Sequence, residues 1–331
     1  PLPAFLILPF IAVWGVNHFN ITLFSIIVAA CTNGIIFLIL QQMRELRWVR
    51  LSASGIVWLT ALFAFGTVFW WLAITPQTGF LSQVCTILFC SLAFWLALKK
   101  SSPWLVGLCM AGALLARPNI FLLWPALFAI KIQIENGLQK ESRKRIFYWG
   151  LYSGIPMVLG GAFLLFYNYI RFNNAFDFGY ITINGASWIV SQAQKYGMFS
   201  PHFIPSNLYS MILAFPWKLL RQCQNYLPRG SGMNIIVTTP ALVYIFRKFK
   251  FSWWTLGCWC AILLSVVTLA MYSNNGAVQY GYRYVLDFIV PVIMLIAFTA
   301  GEKISFPLKI LIILSILVNY YGILSWYHGI C

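Results

Sequence analysis

Residues 113–127 read ALLARPNIFLLWPAL, with Arg117, Pro118 and Asn119 in the middle of an otherwise apolar run from 103 to 130. Proline lacks a backbone donor and disfavours helix at the residue before it, so the run breaks at Arg117. Each arm, 103–116 and 119–130, would reach about 18–21 Å as a helix, short of a ~30 Å hydrocarbon core. Basic loops flank the run, with Lys99 and Lys100 before it and Lys131, Lys140, Arg143, Lys144 and Arg145 after it. Short cytoplasmic loops collect Lys and Arg, so a run between two such loops enters the membrane and returns. The expectation is a broken-helix hairpin whose tip holds Arg117 below the outer surface, in protein or in a water-filled cavity.

The rest of the chain reads the same way. Of its 331 residues 61% are hydrophobic and only 8% charged, against about 25% charged in soluble domains. Spans are expected at about 20–42, 51–74, 79–98, 147–167, 252–272, 283–300 and 305–327, with a shorter one at 234–246. This predicts an all-α polytopic membrane protein, with residues 1–331 forming one transmembrane domain. Most of the charge behind the net +16 sits in the short loops, including Arg44, Arg47, Arg50, Arg247, Lys248, Lys250 and Lys303; the basic residues of the long loop 168–233 weigh little, since the bias is informative only for short loops. This clustering marks cytoplasmic loops and not a nucleic-acid surface.

With the hairpin accepted, the loops at 75–78 and 273–282 and the long loop 168–233 are external. Residues 206–222 (SNLYSMILAFPWKLLRQ) read as an interfacial helix ending near Trp217, Lys218 and Arg221, and residues 1–16 as a segment at the outer interface. The chain opens at Pro1 without an initiator Met or a signal-peptide pattern, and is expected to be a fragment lacking an N-terminal part.

Under this topology Arg117, Arg171 and Arg283 all lie at the outer face. Guanidinium groups suit phosphate, and a phosphate at the lipid boundary would belong to a lipid-linked substrate. The plainer alternative has Arg171 solvating a loop, Arg283 marking a helix end and Arg117 capping a turn. Arg283 and Asp287 are four apart on an expected helix, so they share a face and can pair. Asp177, the only acidic residue of the long loop, has a second reading as a turn residue beside Asn173 and Asn174. The three histidines are not spaced with other ligands, the eight cysteines lack paired ligand spacing, and no nucleotide-binding or nucleophile-elbow motif is present.

Six stretches in order carry a resemblance: 1–15 (PLPAFLILPFIAVWG), 113–127, 167–180 (YNYIRFNNAFDFGY), 197–209 (GMFSPHFIPSNLY), 232–243 (GMNIIVTTPALV) and 280–291 (YGYRYVLDFIVP). Together the chain resembles the bacterial GT-C type membrane glycosyltransferases, in the group of the dolichyl-phosphate-mannose protein mannosyltransferases. The resemblance implies a multi-span helical bundle in the bacterial inner membrane. Such an enzyme makes an inverting transfer of sugar from a polyprenyl-phosphate carrier to a glycan, lipid or protein acceptor on the non-cytoplasmic face.

It implies a general-base carboxylate in a first external loop, expected upstream of Pro1, and it allows a divalent metal without supplying ligands for one here. Donor-phosphate binding would fall to Arg117, Arg171 and Arg283. Supporting or substrate-binding roles would fall to Asp177, Tyr180, His202, Tyr282, Tyr284 and Asp287. Two alternatives stay open: a lipid or anion transporter built on the broken hairpin, and a non-catalytic binding subunit on the same scaffold.

Overall fold

A computed structural model of the chain describes residues 1–179, 182, 187–215, 232–276 and 279–328. These residues fold as helices joined by short turns, with no named β-strand among them. In chain order the helices begin with α1 (Leu2–Trp14), α2 (Ile21–Glu45), α3 (Ala53–Phe65), α4 (Phe69–Ile74) and α5 (Thr78–Leu98). There follow α6 (Pro103–Ala116), α7 (Trp124–Ile134), α8 (Lys140–Phe172), α9 (Ser187–Tyr196) and α10 (Ile204–Leu208). The last are α11 (Ile235–Thr238), α12 (Trp253–Met271), α13 (Ile289–Ala300) and α14 (Phe306–His328). Among the described residues six helical segments are long and apolar enough to cross a membrane: α2, α5, α8, α12, Arg283–Ala300 and α14. The chain is an all-α, multi-pass membrane protein.

The hairpin forms as expected. Helix α6 runs against α5 and α8, and the chain returns through a 3-10 turn (Pro118–Leu123) into α7. At its tip the Ser82 hydroxyl, near the start of α5, donates to the carbonyl of Ala116 (2.9 Å). At its base the Trp253 amide, at the start of α12, donates to Gln133 Oε1 at the end of α7 (3.0 Å). Glycines set how closely these helices approach, since lipid tails offer helices no hydrophobic drive to associate and packing must supply it. A Cβ on Gly257 of α12 would stand 2.3 Å from Ala129 Cβ of α7, and one on Gly107 of α6 2.3 Å from the Ser153 carbonyl oxygen of α8.

Three expected spans differ in form. The 51–74 span breaks at Gly66, where Thr67 donates its hydroxyl to the Phe63 carbonyl (2.8 Å) and accepts from the Phe69 amide (3.2 Å), starting α4. The 234–246 segment is only the four-residue α11 and a 3-10 stretch (Pro240–Phe246). Pro240 forces Thr239 out of the helical region, to φ −138° and ψ 78°. The 283–300 segment starts as a 3-10 turn (Arg283–Phe288) before α13, and 94% of it is buried, so it is the centre of the bundle. The expected 206–222 helix is a short α10 running into a single π turn (Tyr209–Leu213) that stops at Ala214. Trp217, Lys218 and Arg221 lie outside the described residues.

The polar loop 198–214 is fastened across the end of α12. Asn207 Nδ2 donates to the carbonyls of Leu269 (3.3 Å), Ala270 (2.9 Å) and Tyr272 (2.7 Å). It thereby satisfies carbonyls that a helix C-terminus leaves without an internal partner. Two backbone bonds add to this, Ser200 N to Met271 O (2.8 Å) and Ser273 N to Met198 O (2.9 Å). At the far end of the bundle Glu135 clasps α7 to α8, accepting from Lys131 Nζ (2.6 Å) and Arg145 Nε (2.8 Å).

Two outcomes test this packing. Gly257→Leu, which must push α12 off α7, is expected to lower stability by about 1–3 kcal/mol in detergent thermal unfolding. Gly154→Ala, where a Cβ meets nothing within 4 Å, serves as the neutral control. The Lys131 hydrogen bond, with Arg145 beside it, holds the Glu135 carboxyl below its ordinary value. The clasp therefore contributes fully above the unfolded carboxylate range and is lost as pH falls through the lower folded value. Stability should drop by up to about 1 kcal/mol across that acid window, and Glu135→Gln should abolish that component of the pH dependence.

Candidate functional site

Arg117 sits in an extended conformation (φ −142°, ψ 108°), as a residue before proline must, and this points the hairpin tip at the central segment. There Arg117 Nη2 donates to Asp287 Oδ2 at 2.7 Å. Asn119 Nδ2 donates to the same oxygen (2.8 Å), and Gln83 Nε2 of α5 donates to Oδ1 (2.9 Å) and to the Arg283 carbonyl (2.9 Å). The carboxylate is buried, 2% exposed, and receives three side-chain donors from two separate elements.

The expected Arg283–Asp287 pair does not form. In an α-helix residues four apart nearly superpose, but in a 3-10 turn with three residues per turn they lie about 120° apart. Asp287 faces the hairpin and Arg283 faces elsewhere.

Arg283 is 9% exposed. Its guanidinium carbon lies 4.7 Å from the Tyr284 ring centroid and 5.1 Å from that of Phe80. Its nearest polar contacts are long, 3.4 Å to Gln83 Oε1 and 3.5 Å to the Tyr284 hydroxyl, while Nε has no hydrogen-bond partner. Among the described residues no carboxylate lies within 4.0 Å of it. Nη1 is 3.9 Å from the point where Gly79 would carry a Cβ, so the cation sits against the first turn of α5. Tyr284 also meets Arg117, whose guanidinium carbon is 5.1 Å from the ring centroid.

Both arginines open onto a cavity of about 420 Å³. Its walls combine the polar groups of Arg117, Asn119, Asp177, Asn274 and Arg283 with the apolar surfaces of Phe176, Phe178, Met198, Phe199 and Leu269. That volume and mixture suit a ligand with one anionic end and apolar parts. Asp177 lines the cavity as a turn residue, Oδ1 accepting from the Gly179 amide (2.7 Å) and Oδ2 from the Thr182 hydroxyl.

The other expected residues scatter. Arg171 is exposed at the end of α8, over the rings of Tyr167 (5.2 Å) and Phe172 (4.8 Å), and does not line the cavity. His202 is exposed and stacks on Tyr196 at 3.8 Å. Tyr282 is buried behind Tyr284, ring edge to face at 5.8 Å, and its hydroxyl has no hydrogen-bond partner. Burial pushes the Tyr282 phenol far above its ordinary value, so it stays a neutral hydroxyl. Tyr180 lies outside the described residues.

Sequence reasoning missed Gln83 and Asn119. The signal for Gln83 was a lone amide inside an apolar span, which must find partners there. Among the described residues no three His, Cys, Asp or Glu side chains converge, and the Asp287 oxygens are taken by nitrogen donors, so this set does not fit a divalent metal. Comparisons with protein-family models, with curated proteins and with solved structures return no match.

Removing the charge at the centre of this site should be costly. Asp287→Asn leaves Arg117 without its counter-charge and is expected to cost about 3 kcal/mol, the low end for a buried pair because Arg117 borders the cavity. In a double-mutant cycle with Arg117→Leu, the two losses should be clearly less than additive in thermal unfolding.

Proposed function

We propose that the chain is a membrane glycosyltransferase that moves a sugar from a polyprenyl-phosphate carrier to a glycan, lipid or protein acceptor. The observation that carries this reading is Arg283, a buried guanidinium on the cavity wall with no carboxylate partner among the described residues. Arg117 lends little net charge, because Asp287 offsets it. The uncompensated cation and the positive end of α5 together favour an anion in the cavity.

In this reading the lipid phosphate rests on Arg283 while the acceptor hydroxyl oxygen attacks the anomeric carbon from the opposite side. The bond from that carbon to the phosphate oxygen breaks, and the departing phosphate gains charge. A fixed guanidinium in a water-poor pocket stabilises that charge more than it stabilises the ground state. The Arg117–Asp287 pair and Gln83 keep the Arg283 segment in register with the hairpin. The cavity then faces the non-cytoplasmic side of a bacterial inner membrane, since the basic loops cluster at the other end of the helices.

One observation favours a second reading, a carrier or binding subunit for the same anionic lipid. Asp287 and Asp177, the acidic groups at this site, both have their oxygens engaged, so neither is a free general base. The glycosyltransferase reading therefore draws its base from outside the described residues.

Transfer from a polyprenyl-phosphate sugar, measured with the full protein in detergent, separates the two. Arg283→Ala is expected to reduce transfer about 10²–10³-fold without lowering the unfolding temperature. Unchanged transfer would overturn the phosphate role of Arg283. Saturable polyprenyl-phosphate binding with no transfer by the wild type would favour the carrier.

A further inference from the structure

We infer that a groove between α7 and α8, which shares no lining residue with the cavity, binds an anionic phospholipid of the surrounding bilayer. An acyl chain would lie in the groove and the headgroup on Lys140, Arg143 and Lys144. The inference does not rest on the proposed sugar transfer.

The groove has a volume of about 460 Å³. Its floor is the stacked pair Trp124 and Phe128 of α7, ring centroids 5.0 Å apart and 19° from parallel. The Phe128 ring reaches α8 only because Gly150 has no side chain, a Cβ there falling 2.8 Å from Phe128 Cε2. One turn on, a Cβ on Gly154 would meet nothing within 4 Å, so the groove is open at that point. Its α8 wall is the stripe Phe147, Leu151, Gly154 and Val158.

At 100° per residue this stripe continues toward the helix start through Arg143, Lys144 and Lys140. All seven positions fall within about 60° of one line along a helix face roughly 27 Å long. All three basic residues are exposed. Neighbouring charges are already matched, since Glu135 takes both Lys131 and Arg145. Lys140, Arg143 and Lys144 have no carboxylate within 4.0 Å among the described residues. Glu141 lies about 100° round the helix from that line and about 60° from Lys144, with which it forms no ion pair within 4.0 Å. An apolar slot ending in three uncompensated cations at the membrane boundary is complementary to one acyl chain joined to an anionic headgroup. Each cation near such a headgroup favours it several-fold, so the groove should discriminate headgroups and not merely contact lipid.

The test uses the full chain in detergent, titrated with phosphatidylglycerol or phosphatidylcholine of identical chains, with retained lipid counted by native mass spectrometry. The wild type is expected to retain phosphatidylglycerol about 10- to 100-fold more tightly. Replacing all three cations, Lys140→Gln, Arg143→Gln and Lys144→Gln, should erase the preference while chain binding persists. Gly154→Leu fills the open point and improves helix propensity, so it should abolish retention of both lipids while the unfolding temperature without lipid holds or rises. Equal retention of the two lipids by the wild type would overturn the inference, as would undiminished phosphatidylglycerol retention by Gly154→Leu. A detergent-stable dimer that Gly154→Leu converts to monomer would overturn it too, assigning the groove to a second copy.

Discussion

A carboxylate buried in the centre of a membrane bundle must be surrounded by donors or it cannot remain charged there. Asp287 meets that demand with groups from the hairpin tip and from α5, and the site's architecture follows from the need. The hairpin must turn where Arg117 and Asn119 can reach it. Helix α5 must present Gln83 at the same depth, and the central segment must be wound so that position 287 faces both. Local winding, loop conformation and helix register are thus coupled through one anion. The same arrangement leaves Arg283 without Asp287 as a partner, since that carboxylate is committed to other donors.

That division of labour gives the site its electrostatic character. Two arginines share one tyrosine ring, yet one is neutralised and structural while the other keeps its charge. Aromatic faces hold a guanidinium in place without cancelling it, which a carboxylate would do. The loop bound to α12 through Asn207 then brings Met198 and Phe199 to the cavity wall, giving the charged pocket an apolar lining.

Much of the bundle was legible because its signals are local. Apolar run lengths, basic loops and the Arg117-Pro118-Asn119 break each act over a few residues, and the hairpin followed from them. What was not legible depends on winding and on partners distant in sequence. Periodicity gives an apolar run but not whether it turns at 3.6 or 3.0 residues, and that difference separated Arg283 from Asp287. Gln83 and Asn119 are ordinary residues until Asp287 is set between them, a contact across 204 and 168 positions. Arg171 shares with the other arginines an end of the bundle but not a cavity, because position along the membrane normal says nothing about position within its plane.

The proline that kept 234–246 from becoming a full helix also changes how far that segment reaches. A 3-10 winding advances about 2.0 Å per residue against 1.5 Å, so the seven residues Pro240–Phe246 travel roughly 14 Å where an α-helix of that length would travel about 10.5 Å. Its backbone is thinner and less self-sufficient, and the Ala241 amide is satisfied by the Ser315 hydroxyl of α14 (3.1 Å). The chain thereby descends beside its own core with few residues, leaning on a neighbouring helix for a hydrogen bond that a full α-helix makes for itself.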